Sequence, residues 1–220
     1  MMHKLFDGLK YFFDIGANIG WHSLTLSSKF RDAQFFCFEP IPDTYQHLLE
    51  NIRLNAFENI NTYNLALSNV NSRQDYFFYK SCSGNASAVD LSTRPDVEKI
   101  ECQQVRLDEL MGKANLPSPD FIKCDVEGAE LLVFQGALDT IKSSKPIVMA
   151  EILRKWSAKY DYNPNQIFKL FFDIGYRAFT TDGYFLTPFT EMTEETKETN
   201  FFFLHEQSHG TQIHRFTGPT

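Results

Sequence analysis

Asp125, Glu127 and Glu130 crowd the end of an apolar run, in Asp120-Phe121-Ile122-Lys123-Cys124-Asp125-Val126-Glu127-Gly128-Ala129-Glu130. Clustered acids raise one another's proton affinity, which suits one of them to act as a general base near neutrality. The same pattern also describes an acidic helix start, because Glu127 and Glu130 would favour the helix dipole, and for Glu130 both readings stand. Glu151, at the end of Val148-Met149-Ala150-Glu151, should occupy a neighbouring strand terminus and face Asp125 across a pocket. Asp125 is therefore the first candidate base, with Glu127 and Glu151 behind it. Such oxygen ligands would suit magnesium or calcium rather than zinc, but no third fixed ligand can be named, so a metal-free site is expected.

A second group lies nearer the start. Asp14-Ile15-Gly16-Ala17-Asn18-Ile19-Gly20 follows an apolar run, where a strand must turn sharply into a helix and let a ligand approach the backbone. Asn18 replaces the middle glycine of a G-x-G-x-x-G pattern, which argues against a dinucleotide. Asp14, an acceptor when ionised, suits a sulfonium or ammonium better than a phosphate, or else stabilises the loop. Glu39 ends the next apolar run roughly 20 residues beyond the turn, where nucleoside-binding α/β domains place a carboxylate on ribose hydroxyls. Asn64-Leu65-Ala66-Leu67-Ser68-Asn69 offers apolar surface for an adenine ring, or simply core.

His22 and His205 could each reach a pocket, though a lone histidine is more often structural. Trp21, Trp156, Tyr160 and Tyr162 form either an aromatic wall for an acceptor or ordinary packing. Cys37, Cys82, Cys102 and Cys124 show no C-x-x-C pair and no zinc-ligand spacing, and read as reduced thiols of a cytoplasmic protein.

These residues need elements to hold them. Tyr11 to Phe13, Phe35 to Phe38, Ile60 to Leu67, Phe121-Ile122 and Pro146 to Met149 read as buried strands. Between them His22 to Phe30, Pro42 to Asn55, Ala129 to Ile141 and Pro164 to Phe172 carry helical spacing, as in Tyr45, Leu48, Leu49 and Ile52. This alternation gives an α/β class with a mainly parallel sheet, helices on both faces, and ligands at the carboxyl ends of the strands. The interval 69–113 breaks the rhythm, with strands at Tyr76 to Tyr79 and Glu101 to Arg106 around a polar loop, Ser81 to Ser87, and reads as an inserted cover. Tyr176 to Thr180 and Phe201 to Leu204 are two further strands around a loop containing Thr190 to Thr199, with 207–220 a loose tail and 1–206 a single domain.

The 220 residues are 43% hydrophobic, 15% aromatic and 22% charged, enough for one core and unlike a disordered, collagen-like or coiled-coil chain. A net charge of -7 leaves no sequence-wide case for nucleic-acid binding. No run approaches the length of a membrane span, and Met1 to Lys10 lacks a signal-peptide core, so a soluble protein is expected.

Taken together, FFDIGANIGWHSLTL (12–26), FCFEP (36–40), LLENIRLN (48–55), NLALSN (64–69), VRLDEL (105–110), DFIKCDVEGAELLVFQGA (120–137) and VMAEI (148–152) resemble the FkbM-type family of S-adenosylmethionine-dependent methyltransferases. The resemblance spans about Tyr11 to Leu153. It implies a class I, Rossmann-like sheet of seven strands with the last antiparallel, and S-adenosylmethionine bound over the Gly16 to Gly20 turn. Asp14, Gly16, Asn18 and Gly20 would line its methionine and ribose portion, Glu39 would hold the ribose hydroxyls, and Ala66, Leu67 and Ser68 would lie near the adenosine. Asp125 is expected to contact the donor as well as to act as the base, a catalytic role that the family pattern does not itself assign to Asp125, Glu127 or Glu130. The implied acceptor is a small molecule with a hydroxyl, such as a sugar or a polyketide-type alcohol. A nucleotide-binding oxidoreductase and a catalytically silent binding module are the competing readings.

Overall fold

Phe12, Phe35 and Phe121 stand side by side on neighbouring strands, and their successors Phe13, Phe36 and Ile122 stand side by side on the opposite face. Because side chains alternate along a strand, runs that are apolar at every position bury both faces and demand helices on each. A computed structural model describes residues 1–79, 86–89 and 97–218. In it β1 (Tyr11–Ile15), β2 (Gln34–Phe38), β3 (Ile60–Tyr63), β8 (Phe121–Cys124) and β9 (Ile147–Glu151) pair in parallel. β12 (Asn200–His205) runs antiparallel to β9 and to β10 (Tyr176–Thr181).

One face carries Phe12, Phe35, Phe121, Ile147 and Phe202. Leu5 of α1 (Met2–Leu5) and Leu26 of α2 (Trp21–Lys29) cover it, and Leu48 of α3 (Pro42–Leu54) packs on Cys37 of the same face. The other carries Phe13, Phe38, Ile122, Val148 and Phe203. Over that face lie α4 (Leu107–Lys113), α5 (Glu130–Gly136), α6 (Leu138–Ser144) and α8 (Asn165–Phe172). Phe134 meets Phe171 edge to face at 4.9 Å, and Phe171 stacks on Phe203 at 4.2 Å, so α5, α8 and β12 interlock through rings.

The sheet has eight strands rather than the seven expected, in the order β11-β10-β12-β9-β8-β1-β2-β3. The extra edge strand β11 (Leu186–Phe189) returns against β10 through a turn in which Asp182 Oδ1 accepts the Tyr184 and Phe185 N–H groups at 2.8 and 2.7 Å. Gly183, at φ +92°, supplies the left-handed residue that this turn needs. The expected loose tail from Gln207 is corrected as well. α9 (Gly210–Phe216) buries Ile213 and Phe216, one turn apart, against the first face.

The interval 69–113 supplies three strands of a second sheet, whose order is β4-β7-β5-β6. β5 (Ser72–Tyr79) and β7 (Val97–Val105) form its antiparallel body, with β6 (Ala86–Ser87) beyond β5. Ser81 to Asn85 of the expected polar loop, and Cys82 with them, lie outside the described residues. The expected strand Ile60 to Leu67 is divided: β3 stays in the main sheet, and β4 (Ala66–Leu67) crosses to pair with β7. Asn64 marks the break, its Nδ2 donating to the carbonyls of Glu39 and Pro40 at 2.9 and 3.0 Å.

The expected helix Ala129 to Ile141 is likewise two. They part at Gly136, where a Cβ would strike the carbonyl of Ser68. Gly136→Ala should therefore lose about 1–3 kcal/mol of stability in urea unfolding, because overpacking backbone outweighs a propensity gain of up to ~1 kcal/mol. Gly112→Ala in α4, where a Cβ meets nothing, should gain about 0.4–1 kcal/mol. Equal effects at the two positions would refute the contact argument.

Candidate active site

At the carboxyl end of β1 the chain turns back under β2: the N–H groups of Gly16 and Ala17 both donate to the Phe38 carbonyl at 3.0 Å. Gly16 holds φ +73°, and a Cβ there would collide with the Asp125 carbonyl. Gly20, at φ +90°, begins α2 with no room for a Cβ beside Leu48. Between them Asn18 takes a left-handed φ of +51°, its Oδ1 accepting the Ile19 N–H at 2.7 Å. The turn thereby exposes backbone, rather than side chains, to the space above.

Glu39 closes one side of that space and is 5% exposed. Its Oε2 accepts the Asn18 N–H at 3.0 Å and its Oε1 the Ile41 N–H at 2.9 Å. Burial nevertheless pushes its carboxyl up to about 7. Each oxygen keeps a further acceptor position.

Behind the turn lies a buried ion cluster. Lys123, 2% exposed in the middle of β8, places Nζ 3.2 Å from Asp14 Oδ1 and 3.5 Å from Asp125 Oδ2, and donates to the Gly16 carbonyl at 2.7 Å. Burial opposes its charge, but Asp14 and Asp125 outweigh that and hold its pKa above that of an ordinary lysine. Asp14 is wholly buried, its Oδ2 accepting the Ser23 hydroxyl at 2.7 Å.

The segment after β8 is fixed in an unusual path, with Glu127 at φ +54° and Gly128 at φ +103°. Glu130 secures it: Oε1 accepts the N–H groups of Val126 and Gly128, both at 3.1 Å, while the Tyr162 hydroxyl donates to the Gly128 carbonyl at 2.8 Å. Glu130 does stand in the first turn of the helix Glu130–Gly136, as the helix-start reading has it, and its bonds to the preceding loop are a role that neither reading named. Burial, then Asp125 and Glu151, raise Glu127 to about 7. Burial, then Asp125, raise Glu151 to about 7 as well.

Gly16, Asn18, Glu39, Ala66, Leu67, Asp125 and Glu127 line one cavity of about 430 Å³, with Phe38, Leu65 and Tyr76 as apolar wall. Asp14, Gly20 and Ser68 stand behind that wall instead of on it. Asp14 is turned to Lys123, Gly20 to Leu48, and the Ser68 N–H to the Val105 carbonyl at 2.9 Å. Glu151 joins the group through Asp125.

His22 lines the cavity, whereas His205 packs on Gly175 and Tyr176 and does not. Of the four aromatics proposed as a wall, Trp21 alone lines it, 73% exposed. Tyr162 is spent on the loop, and Tyr160 meets the Ser87 hydroxyl at 2.7 Å. Sequence reasoning missed Lys123 and Tyr76. A lone charge inside the apolar strand Phe121-Ile122-Lys123-Cys124 was the available signal for the first.

Residues 14–178 match the model of the methyltransferase FkbM domain. The chain belongs to this family. It is 32% identical over 136 residues to the hexuronic acid methyltransferase AglP of Haloferax volcanii, covering 62% of this chain and 53% of that protein. It is also 32% identical over 146 residues to the 2-O-methyltransferase NoeI of Sinorhizobium fredii, covering 60% and 59%. The chain thus spans little more than half the length of these curated relatives. A solved methyltransferase FkbM structure from Methylobacillus flagellatus shares the fold, with a TM-score of 0.56 at 19% identity over 88% of this chain and 43% of that one.

In this FkbM domain one buried ammonium touches the turn, the strand end and a cavity carboxylate together. Removing it strands Asp14 in the core. Lys123→Met should cost about 3–5 kcal/mol, and Asp14→Asn combined with it should restore much of the loss, since the wholly buried carboxylate is then gone and only the part-exposed Asp125 has lost its partner. Urea midpoints of both single variants and the double variant measure the coupling. Additive losses would contradict it.

Proposed function

We propose that the chain is an S-adenosylmethionine-dependent O-methyltransferase acting on a hydroxyl of a small molecule. The observation that carries this reading is the cavity itself, which joins a bare-backbone turn and a buried carboxylate to a cluster of acids across the strand ends. The fit to the donor rests on two features. Gly16, having no Cβ, lets the turn lie directly against the Asp125 carbonyl and so sets bare backbone beside the acids, and Glu39 keeps acceptor positions for two hydroxyls of an unphosphorylated ribose. When bound, S-adenosylmethionine supplies an electrophilic methyl group on a sulfonium.

The chain's own residues do the rest. Gly16 and Asn18 present backbone, Leu65, Ala66 and Leu67 offer apolar surface for a purine, and Glu39 holds the sugar. Asp125 accepts the proton of the acceptor hydroxyl, while Glu127 and Glu151, with pKa values about 7, take part in passing it on. Holding donor and acceptor in line contributes the larger share, up to roughly 7–11 kcal/mol. The names of two relatives, a hexuronic acid methyltransferase and a 2-O-methyltransferase, support a sugar as acceptor. A cytoplasmic place fits three buried free thiols, Cys37, Cys102 and Cys124. No helix among the described residues is long and apolar enough to cross a membrane.

Calorimetric titration with S-adenosylmethionine, S-adenosylhomocysteine and NADH tests the donor. Micromolar binding of the two sulfur compounds, lost in Glu39→Ala, is expected; binding of NADH alone would overturn the reading. Asp125→Asn should keep donor affinity and lose about 100-fold or more in kcat. Ribose hydroxyls favour ionised Glu39, so S-adenosylhomocysteine affinity should climb as pH rises through about 7 and then level off, with a proton released on binding below that pH. Glu39→Gln should flatten the profile.

A further inference from the structure

A second cavity of about 290 Å³ opens where β9 leaves the sheet, lined by Leu153, Arg154, Lys155, Lys197, Glu198 and Thr199 among others. Arg154, Lys155 and Lys197 stand there against Glu198, a local excess of positive charge on a chain of net charge -7. Arg154 is held in place by Nη2 donating to the Glu194 carbonyl at 2.8 Å. Its Nη1 is buried with no hydrogen-bond partner among the described residues, an unspent donor of the kind that natural structures seldom leave. Glu198 turns its carboxylate to the Lys197 N–H at 3.2 Å. Lys155 lies over the Trp156 ring at 4.2 Å.

This cavity reaches the acidic cluster through Glu151. Ile152 and Leu153 follow Glu151 in the chain, and Thr199, on the opposite wall, hydrogen-bonds the Glu151 side chain. Its partner strand is fixed by the Ile152 N–H donating to the Thr199 carbonyl at 2.7 Å. A molecule whose hydroxyl sits at Asp125 and Glu151 therefore has a cationic recess next to it.

We infer that the recess formed by Arg154, Lys155 and Lys197 seats an anionic oxygen group, a carboxylate or a phosphate, carried by the acceptor. This rests on the methyl-transfer reading above and narrows its acceptor class from hydroxyl compounds to acidic ones. Charge selects by attraction to the recess and also by repulsion, since an anion placed instead at Glu127 and Glu151 would be rejected.

Acetate and inorganic phosphate, titrated into the isotope-labelled full chain, separate the two sources by amide shifts. Saturable shifts at Leu153 to Lys155 and Lys197 to Thr199 are expected, with affinity about tenfold weaker in Lys155→Ala/Lys197→Ala, both exposed side chains whose loss spares the fold. Glucuronate and glucose 6-phosphate should shift these amides and those of Asp125 and Glu151, while glucose at equal concentration shifts neither. The inference is overturned by unsaturable shifts, by shifts unchanged in the double variant, or by acidic sugars that leave Asp125 and Glu151 unmoved. S-adenosylhomocysteine, read at Gly16 to Asn18 in the same samples, reports the donor site separately, so its failure would sink methyl transfer and leave the ion data standing.

Discussion

Burying an ammonium in the middle of a central strand is costly, and Lys123 is tolerable only because three oxygens converge on it. Asp14 is the last residue but one of β1, Asp125 follows β8, and the Gly16 carbonyl belongs to the turn after β1, so one cation ties both strand ends to that turn. The tie is reinforced sterically, since the Asp125 carbonyl sits where a Cβ of residue 16 would be. The cavity's bare backbone and its central carboxylate are thus positioned by one interaction, and a shift in either strand would misplace both.

The parts of this arrangement differ in how far sequence discloses them. Strands buried on both faces announce themselves as unbroken apolar runs, and the helices between them by spacing, so the parallel core and the placing of Gly16, Glu39 and Asp125 were legible. The division of Ile60 to Leu67 was not, because the break depends on Asn64 bonding carbonyls some 25 residues away. Nor was the end of α5, since a lone glycine in a helical pattern does not by itself mark a break, and the need for Gly136 lies in its contact with Ser68. β11 was legible in principle from Asp182-Gly183, a turn signal that the polar stretch beyond it obscured. α9 carries only Ile213 and Phe216 as apolar anchors, too few to stand out from a tail.

Site residues follow the same division. Lys123 and Asp14 form a pair only in three dimensions; separately each reads as a stray charge. Glu39 and Glu130 show why raised proton affinity alone does not assign a role. Both are buried and both rise to about 7, each despite two backbone N–H bonds. Glu130 accepts both N–H groups on one oxygen, which holds its own loop, and the Tyr162 hydroxyl lies against the other at 3.3 Å. Glu39 receives one donor on each oxygen and borders the cavity, so it alone has acceptor capacity facing outward.

The acidic cluster sets its own constraint on stability. A carboxyl whose folded pKa lies above its unfolded value contributes stability that is complete below about 4.5 and is lost as pH rises through about 7. Glu39, Glu127, Glu130 and Glu151 therefore all weigh against the fold at neutral pH, opposed by Lys123 at Glu39 and Glu151 and by Lys155 at Glu127. A ligand that donates hydrogen bonds to Glu39 would relieve part of this load. Glu39, which weighs against the fold while unliganded, is then the same group that makes a filled site favourable, and it sits at a strand end, where a ligand can reach it.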